Sequence, residues 1–283
     1  MSSAIDLGEI MASWAAKTPS VSGLVLIGSR ERFVRDAIEY SDAYSDWDFQ
    51  VITSNPRMFS NREWTKNLVG AELMAYAVRL ARIGAVPKIN VVFVGTEADL
   101  IIIPTGIGRL MKLLVALGMH RRNGWTQHRL QSVAEVIRPG WRFLKGGETW
   151  NPLFRRIVAD VPDPRLTDKG ARQLAEGFLC DYVWCLRKIS RGELRAAQRV
   201  LYQEMMETNL QLLHELKRRR GERTFTKARR IESVATSSEL ASITVNSSLQ
   251  AASLRAEVEK SANTCREIMI ALVGDFWRWP EVG

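Results

Sequence analysis

The chain has 283 residues, of which 46% are hydrophobic and 25% are charged, the proportions of a folded globular protein and not of a disordered one. Its formal net charge of +9 favours an anionic partner, either a triphosphate or a nucleic acid. No apolar run reaches the roughly 18 residues that a membrane span needs, and the first 17 residues lack the pattern of a signal peptide, so we expect a cytoplasmic protein.

The N-terminal half predicts an alternation of helices and strands. Residues 4–16 carry apolar side chains at helical spacing, and residues 46–53 alternate acidic and apolar side chains with the period of a strand. The predicted elements are a helix at 4–16, strands at 23–27, 46–53, 88–94 and 131–139, a helix-rich stretch at 63–80, and a helix following Pro104 up to 117. Residues 32–40 are either a polar insertion or a short helix.

The composition changes after a Pro-rich linker at residues 161–164. Long helical patterns then cover residues 169–190, 193–218 and 248–276, the last ended by Pro280. We therefore predict an α+β protein with an N-terminal domain at 1–160, built on a small mixed sheet with helices, and a helical bundle domain at 165–283.

The three cysteines, Cys180, Cys185 and Cys265, lie in predicted helices. We expect reduced, buried thiols, and their spacing does not favour a zinc site. The two basic clusters at 217–220 and 227–230 resemble solvated helix ends and a loop more than a nucleic-acid motif, and nucleic acid is therefore an improbable partner.

A pair of carboxylates and a Gly-Ser turn form the motif that indicates a functional site. Asp46 and Asp48 are two residues apart on a predicted strand, so their side chains project from the same face. Such oxygen ligands suit Mg²⁺, which is often held by one or two carboxylates together with substrate phosphates. Gly28-Ser29 ends the preceding apolar run and can bring backbone N–H groups and a hydroxyl to a phosphate. The motif predicts a metal-dependent nucleotidyl-transfer site; the alternatives are a solvated edge strand and a simple turn.

The same motif resembles the signature of the aminoglycoside 6-adenylyltransferases, which have the nucleotidyltransferase fold. Gly28-Ser29-Arg30 is similar to their GSR, and the segment from Asp42 to Phe49 is similar to their D-x-F-x-D-Y-D-[IV]. Weaker similarity, in the same order along the chain, covers Lys88-Ile89-Asn90-Val91, residues 134–137, residues 178–193 and Trp279-Pro280.

The resemblance implies an antibiotic-modifying enzyme that transfers AMP from ATP to a hydroxyl group of an aminoglycoside or a similar small molecule. By position, Asp46 and Asp48 would bind Mg²⁺, and Gly28, Ser29 and Arg30 would hold the triphosphate. The helical domain would form a wall of the acceptor cleft. The resemblance implies no membrane partner and does not fix the oligomeric state.

The sequence departs from the family at the third carboxylate, where the alignment places Asn90. An amide can ligate a metal or contact the nucleotide, but it cannot accept a proton as a base. The alternative hypothesis is therefore a catalytically impaired nucleotide-binding homologue. If the enzyme is active, a replacement base could come from the helical domain, with Asp181 as the catalytic candidate beside Glu176 and Glu204, although each could be an ordinary exposed helix carboxylate. A third hypothesis, a nucleotidyltransferase acting on nucleic acid, rests on the net charge.

Overall fold

The computed structural model describes residues 6–32, 41–42, 44–81, 86–122, 124–274 and 277–279. The chain forms two compact units, Met1–Pro164 and Arg165–Gly283. The first contains a mixed sheet with helices and the second is helical, which confirms the predicted α+β class. The expectation for residues 33–40 and the helix stop at Pro280 lie outside the described residues.

The first unit is built around a six-stranded sheet within the described ranges. The strands are β1 (Val21–Ile27), β2 (Trp47–Thr53), β3 (Leu73–Leu80), β4 (Pro87–Phe93), β5 (Thr96–Pro104) and β6 (Arg142–Lys145). Their order across the sheet is β3-β4-β5-β2-β1-β6. Strands β2 and β5 pair in parallel, whereas the other neighbouring pairs are antiparallel. The carboxyl-rich start of β2 therefore lies beside the start of β5.

Helices bury both faces of the central strands. The helices of this unit are α1 (Leu7–Ala16), α2 (Thr105–Ala116), α3 (Trp125–Ile137) and α4 (Gly147–Asp160). On one face, Trp14 of α1 and Phe49 of β2 share an apolar cluster. On the other, Trp150 of α4 packs in a cluster with Val25 of β1. Because each face of β1 and β2 meets a core, these strands are nearly continuous apolar runs.

Two sequence-based expectations for this unit are wrong. The stretch predicted to be helix-rich at 63–80 begins with a short 3₁₀ segment at Arg62–Asn67 and continues as β3. Pairing with β4 overrides the helical propensity of a stretch whose apolar residues fit either period. The strand predicted at 131–139 is instead part of α3, whose buried Leu130, Ala134 and Ile137 recur at helical spacing.

The second unit consists of helices, and the long ones confirm the predicted pattern. They are α5 (Asp168–Ser190), α6 (Leu194–Val200), α7 (Met206–Arg219), α8 (Ile231–Val234), α9 (Ser237–Ile243) and α10 (Ala251–Val273). One π-helical turn, Leu201–Met205, joins α6 to α7, so the predicted helix at 193–218 is continuous but locally widened. Thr167 caps α5, its hydroxyl accepting from the Gly170 N–H at 3.0 Å.

Buried ion pairs hold the beginning of the second unit to α7. The Glu215 side chain is only 4% exposed, and one of its oxygens accepts from Arg165 and Arg219, each at 3.1 Å. Its other oxygen accepts from the Leu166 N–H at 3.2 Å. Lys217 is also buried and pairs with Glu222 at 2.6 Å. Within the basic cluster at 217–220, Lys217 is therefore buried and does not belong to a solvated helix end, whereas Arg219 pairs with the buried Glu215 and stays exposed.

The three free cysteines differ in their exposure to solvent. Cys185 and Cys265 are buried as expected, but Cys180 is exposed. Burial raises the pKa of each of the two buried thiols to about 12.

Among the residues described, no helix combines the length and apolar character needed to cross a membrane.

Candidate metal centre

Three carboxylates converge at one end of the parallel strand pair. Asp48 of β2 lies opposite Asp99 of β5 in the register of that pair, and Asp46 immediately precedes β2. One oxygen atom from each of the three side chains lies within 4.8 Å of the others. All three side chains are half-buried, so they are shielded on one side and remain accessible on the other. The donor set is made of carboxylate oxygens, which fits a hard divalent cation such as Mg²⁺.

The structure brings Asp46 and Asp48 together as the strand pattern predicted, and it supplies a third carboxylate that the sequence analysis missed. Asp99, and not an amide, occupies that place. The alignment pointed to Asn90, which lies on β4, one strand further from β2. A signal for Asp99 was present, since it precedes the aliphatic run at 100–103 in the way that Asp48 precedes Phe49.

Both oxygens of Asp99 have partners on β4. Asn90 lies opposite Asp99 in the antiparallel register, and its Nδ2 donates to Asp99 Oδ1. Lys88, two residues earlier on the same face of β4, forms an ion pair with Asp99 Oδ2. Asn90 therefore orients the third carboxylate, while its own Oδ1 is buried without a hydrogen-bond partner. A direct contact between Asn90 and a nucleotide stays a prediction.

Gly28 makes room for Asp48. Ile27, the last residue of β1, lies opposite Asp48, and Gly28 then begins the short 3₁₀ turn Gly28–Glu31 with a φ of +80°. A Cβ atom at this position would lie 2.2 Å from Asp48 Oδ2, well inside contact distance. The Gly-Ser motif thus has a steric role beside the carboxylates, and Ser29 follows it directly, half-buried in the turn.

Arg30 fixes the chain as it enters β2. Its Nε donates to the Asp46 carbonyl at 3.1 Å, and its Nη2 donates to the Ser45 carbonyl. Its guanidinium also lies 4.3 Å from the centre of the Trp47 ring, a cation–π contact. Trp47 itself is buried, as its alternation with the two aspartates predicted. Arg30 therefore positions Asp46, and a contact with a triphosphate stays a prediction.

The candidate bases lie in the second unit, on α5 and on the π-helical turn. Asp181 is half-buried on α5, whereas Glu176 and Glu204 are exposed. Burial raises the pKa of the Asp181 carboxyl, and the negative charge of nearby Glu204 raises it further. A carboxylate with a raised pKa is a better proton acceptor, which suits the role predicted for Asp181.

A histidine–carboxylate pair lies outside this cluster. His120 is fully buried, and its Nε2 lies 2.8 Å from Asp160 Oδ2 at the end of α4. The same oxygen accepts from Arg121 at 2.9 Å. These hydrogen bonds lower the pKa of Asp160, that of His120 contributing most. The pair ties the turn after α2 to the end of α4.

Comparison with known proteins gives distant structural similarity. No family model matches the sequence, and no curated protein matches it. Among solved structures, the chain is similar to an aminoglycoside 6-adenyltransferase from Bacillus subtilis, with 11% identity and a TM-score of 0.41 over 99% of this chain and 94% of that one. It is also similar to a nucleotidyltransferase-like protein from Exiguobacterium sibiricum, with 12% identity and a TM-score of 0.37 over 93% of this chain and 74% of that one. The case for a function therefore rests on the residues of the site.

Proposed function

We propose that the protein is a Mg²⁺-dependent nucleotidyltransferase that transfers AMP from ATP to a hydroxyl group of an aminoglycoside-like small molecule. The observation that carries the proposal is the convergence of Asp46, Asp48 and Asp99 beside the Gly28-Ser29 turn. The resemblance of the segment around these residues to the aminoglycoside 6-adenylyltransferase signature supports the choice of donor and acceptor.

The roles follow from the chemistry of the side chains. Asp46 and Asp48 bind the metal ion, and Asp99 completes the carboxylate set. When bound, Mg²⁺ neutralises phosphoryl charge and helps to align the attacking and leaving oxygens. The Ser29 hydroxyl and the N–H groups of its turn contact phosphate oxygens, with Arg30 close by. Because Arg30 also holds the Asp46 carbonyl, it couples the turn to the metal ligands.

The reaction is a single displacement at the α-phosphorus of ATP. The acceptor hydroxyl oxygen forms a bond to that phosphorus while the bond to the bridging oxygen breaks, and pyrophosphate leaves. The hydroxyl proton passes to a general base. Asp181 is our candidate, since it is the half-buried one of the three helical candidates and burial raises the pKa of its carboxyl.

A small-molecule acceptor is favoured over a nucleic acid by the state of the basic cluster at 217–220. Lys217 is buried and pairs with Glu222 at 2.6 Å and with Glu239 at 3.1 Å. Arg219 pairs with Glu215 at 3.1 Å and with Asp168 at 2.7 Å. Side chains that already form ion pairs within the protein contribute little to binding the phosphate backbone of a nucleic acid.

The alternative is a nucleotide-binding homologue that has lost catalysis. The observation in its favour is that Asn90 and Lys88 already engage both oxygens of Asp99. Nucleotide binding without transfer would identify this alternative.

The test is transfer of labelled AMP from α-labelled ATP, with Mg²⁺ and a panel of aminoglycosides. We expect product with the wild-type chain, and loss of more than 100-fold with Asp48→Asn, because an amide replaces a charged metal ligand. Glu72→Gln, which changes an exposed acid of the same unit, is the control and should keep wild-type turnover. Absence of transfer together with wild-type ATP binding would overturn the enzyme proposal.

A further inference from the structure

Lys88 places a positive charge inside the carboxylate cluster. Its Nζ forms an ion pair with Asp99 Oδ2, and the two side chains are 33% and 23% exposed, so the pair is partly shielded from water. Asp99 Oδ1 is at the same time held by Asn90 Nδ2. The third carboxylate is therefore fixed from the β4 side by one charged and one neutral donor.

This arrangement limits how many divalent cations the cluster can hold. Sites with two metal ions place them about 4 Å apart and need carboxylates that neutralise both. Here three carboxylates and one ammonium leave two negative charges among these four side chains, which matches one divalent cation. A second cation at Asp99 would meet the Lys88 charge at close range.

Arg30 is a second cation near the cluster in the described part of the chain, but its described contacts are not with a cluster carboxylate. Its guanidinium donates to the carbonyls of Ser45 and Asp46 and lies over the Trp47 ring. It bonds to the backbone that carries Asp46 and leaves the carboxylates for other ligands. Of these two cations, the one paired with a carboxylate of the cluster is Lys88.

We infer that the Lys88 ammonium takes the place of a second metal ion, so that the site binds one divalent cation per chain. The inference rests on the proposed function and specifies its cofactor requirement. The Asp46–Asp48 side of the cluster receives the metal ion, while Lys88 supplies the positive charge on the Asp99 side.

The test counts bound Mn²⁺ by electron paramagnetic resonance in the presence of the non-cleavable ATP analogue α,β-methylene-ATP. We expect one Mn²⁺ per wild-type chain. Lys88→Met should bind a second Mn²⁺ and, without nucleotide, should bind the first about tenfold more tightly, because a repelling charge is gone. Lys88→Arg keeps the charge and should bind one Mn²⁺.

Lys66→Met is the matched control, since Lys66 forms an ion pair with Glu63 on the surface of the same unit. It should bind Mn²⁺ as the wild type does. Two Mn²⁺ ions on the wild-type chain would overturn the inference and leave the proposed function intact. One ion with unchanged affinity in Lys88→Met would do the same. If the wild type and Asp48→Asn bind Mn²⁺ equally well, the proposed metal site itself would be overturned.

Discussion

Replacement of Gly28 by alanine tests whether the Gly-Ser turn serves the metal ligands. Gly28 has a φ of +80°, and the added Cβ would lie 2.2 Å from Asp48 Oδ2 and 3.0 Å from Asp48 Cγ. Since non-bonded atoms of this kind need more than 3 Å, the Asp48 carboxylate must move by about 1 Å. Metal–ligand distances tolerate shifts of about 0.2 Å, so the displaced oxygen no longer fits the site.

Two effects of different size follow from this substitution. An alanine at positive φ costs about 1 kcal/mol of folding stability, whatever surrounds it. For a unit of this size that corresponds to a fall of about 2–4 °C in the melting temperature. We expect the displaced carboxylate to add little to this cost because Asp48 is only half-buried. Metal affinity should fall much more, by about 10–100-fold, as it does when the support of a ligand is lost.

Gly95→Ala separates the two effects. Gly95 has the same φ of +80°, but a Cβ there would meet no atom within 4 Å. We expect both variants to lose similar stability in thermal unfolding and only Gly28→Ala to lose Mn²⁺ binding in calorimetric titration. Wild-type Mn²⁺ affinity in Gly28→Ala, or an equal loss in both variants, would refute the steric argument.

Three further predictions concern Arg30, Glu215 and the cysteines. Arg30→Met should weaken Mn²⁺ binding about tenfold, measured by the same titration, and Arg30→Lys should not restore it, because an ammonium lacks the planar fork that spans two carbonyls. Burial by itself would raise the pKa of Glu215, but its hydrogen bonds from a backbone N–H and two arginines outweigh burial and lower it below 4.5. A lowered pKa stabilises the fold above the unfolded value of 4.5, and this contribution is lost as pH falls through the folded pKa. Glu215→Gln should therefore lose about 3 kcal/mol in urea unfolding at pH 7 and less at a pH below 4.5. Equal losses at both pH values would contradict this. With a thiol-specific chromogenic reagent at neutral pH, Cys180 should react at once and Cys185 and Cys265 only after unfolding; rapid reaction of all three would contradict the burial of the latter two.

The sequence was most informative where local pattern and tertiary role agree. The alternation at the start of β2 indicated that Asp46 and Asp48 share one side and that Trp47 is buried, because acidic and apolar residues alternate there. The long helices of the second unit were equally clear, since their apolar residues recur over several turns.

The sequence was least informative where pairing with another strand decides the structure. Leu73–Leu80 has apolar residues that fit both periods, and its assignment depends on β4. Asp99 became part of the site only through the parallel register with β2, which no local pattern reveals. The ion pair between Lys88 and Asp99 follows instead from the antiparallel pairing of β4 with β5. Asp99, which completes the carboxylate set, therefore depends on a partner strand that lies far away in the chain.

The parallel pairing of β2 with β5 has a consequence for how the protein folds. The segment between these strands includes β3 and β4, so this long crossover must close before Asp48 can lie beside Asp99. Closing a long loop slows the formation of such contacts, whereas the β4–β5 hairpin can form locally. We therefore expect the carboxylates to assemble late in refolding, so that the appearance of Mn²⁺ affinity marks completion of the sheet.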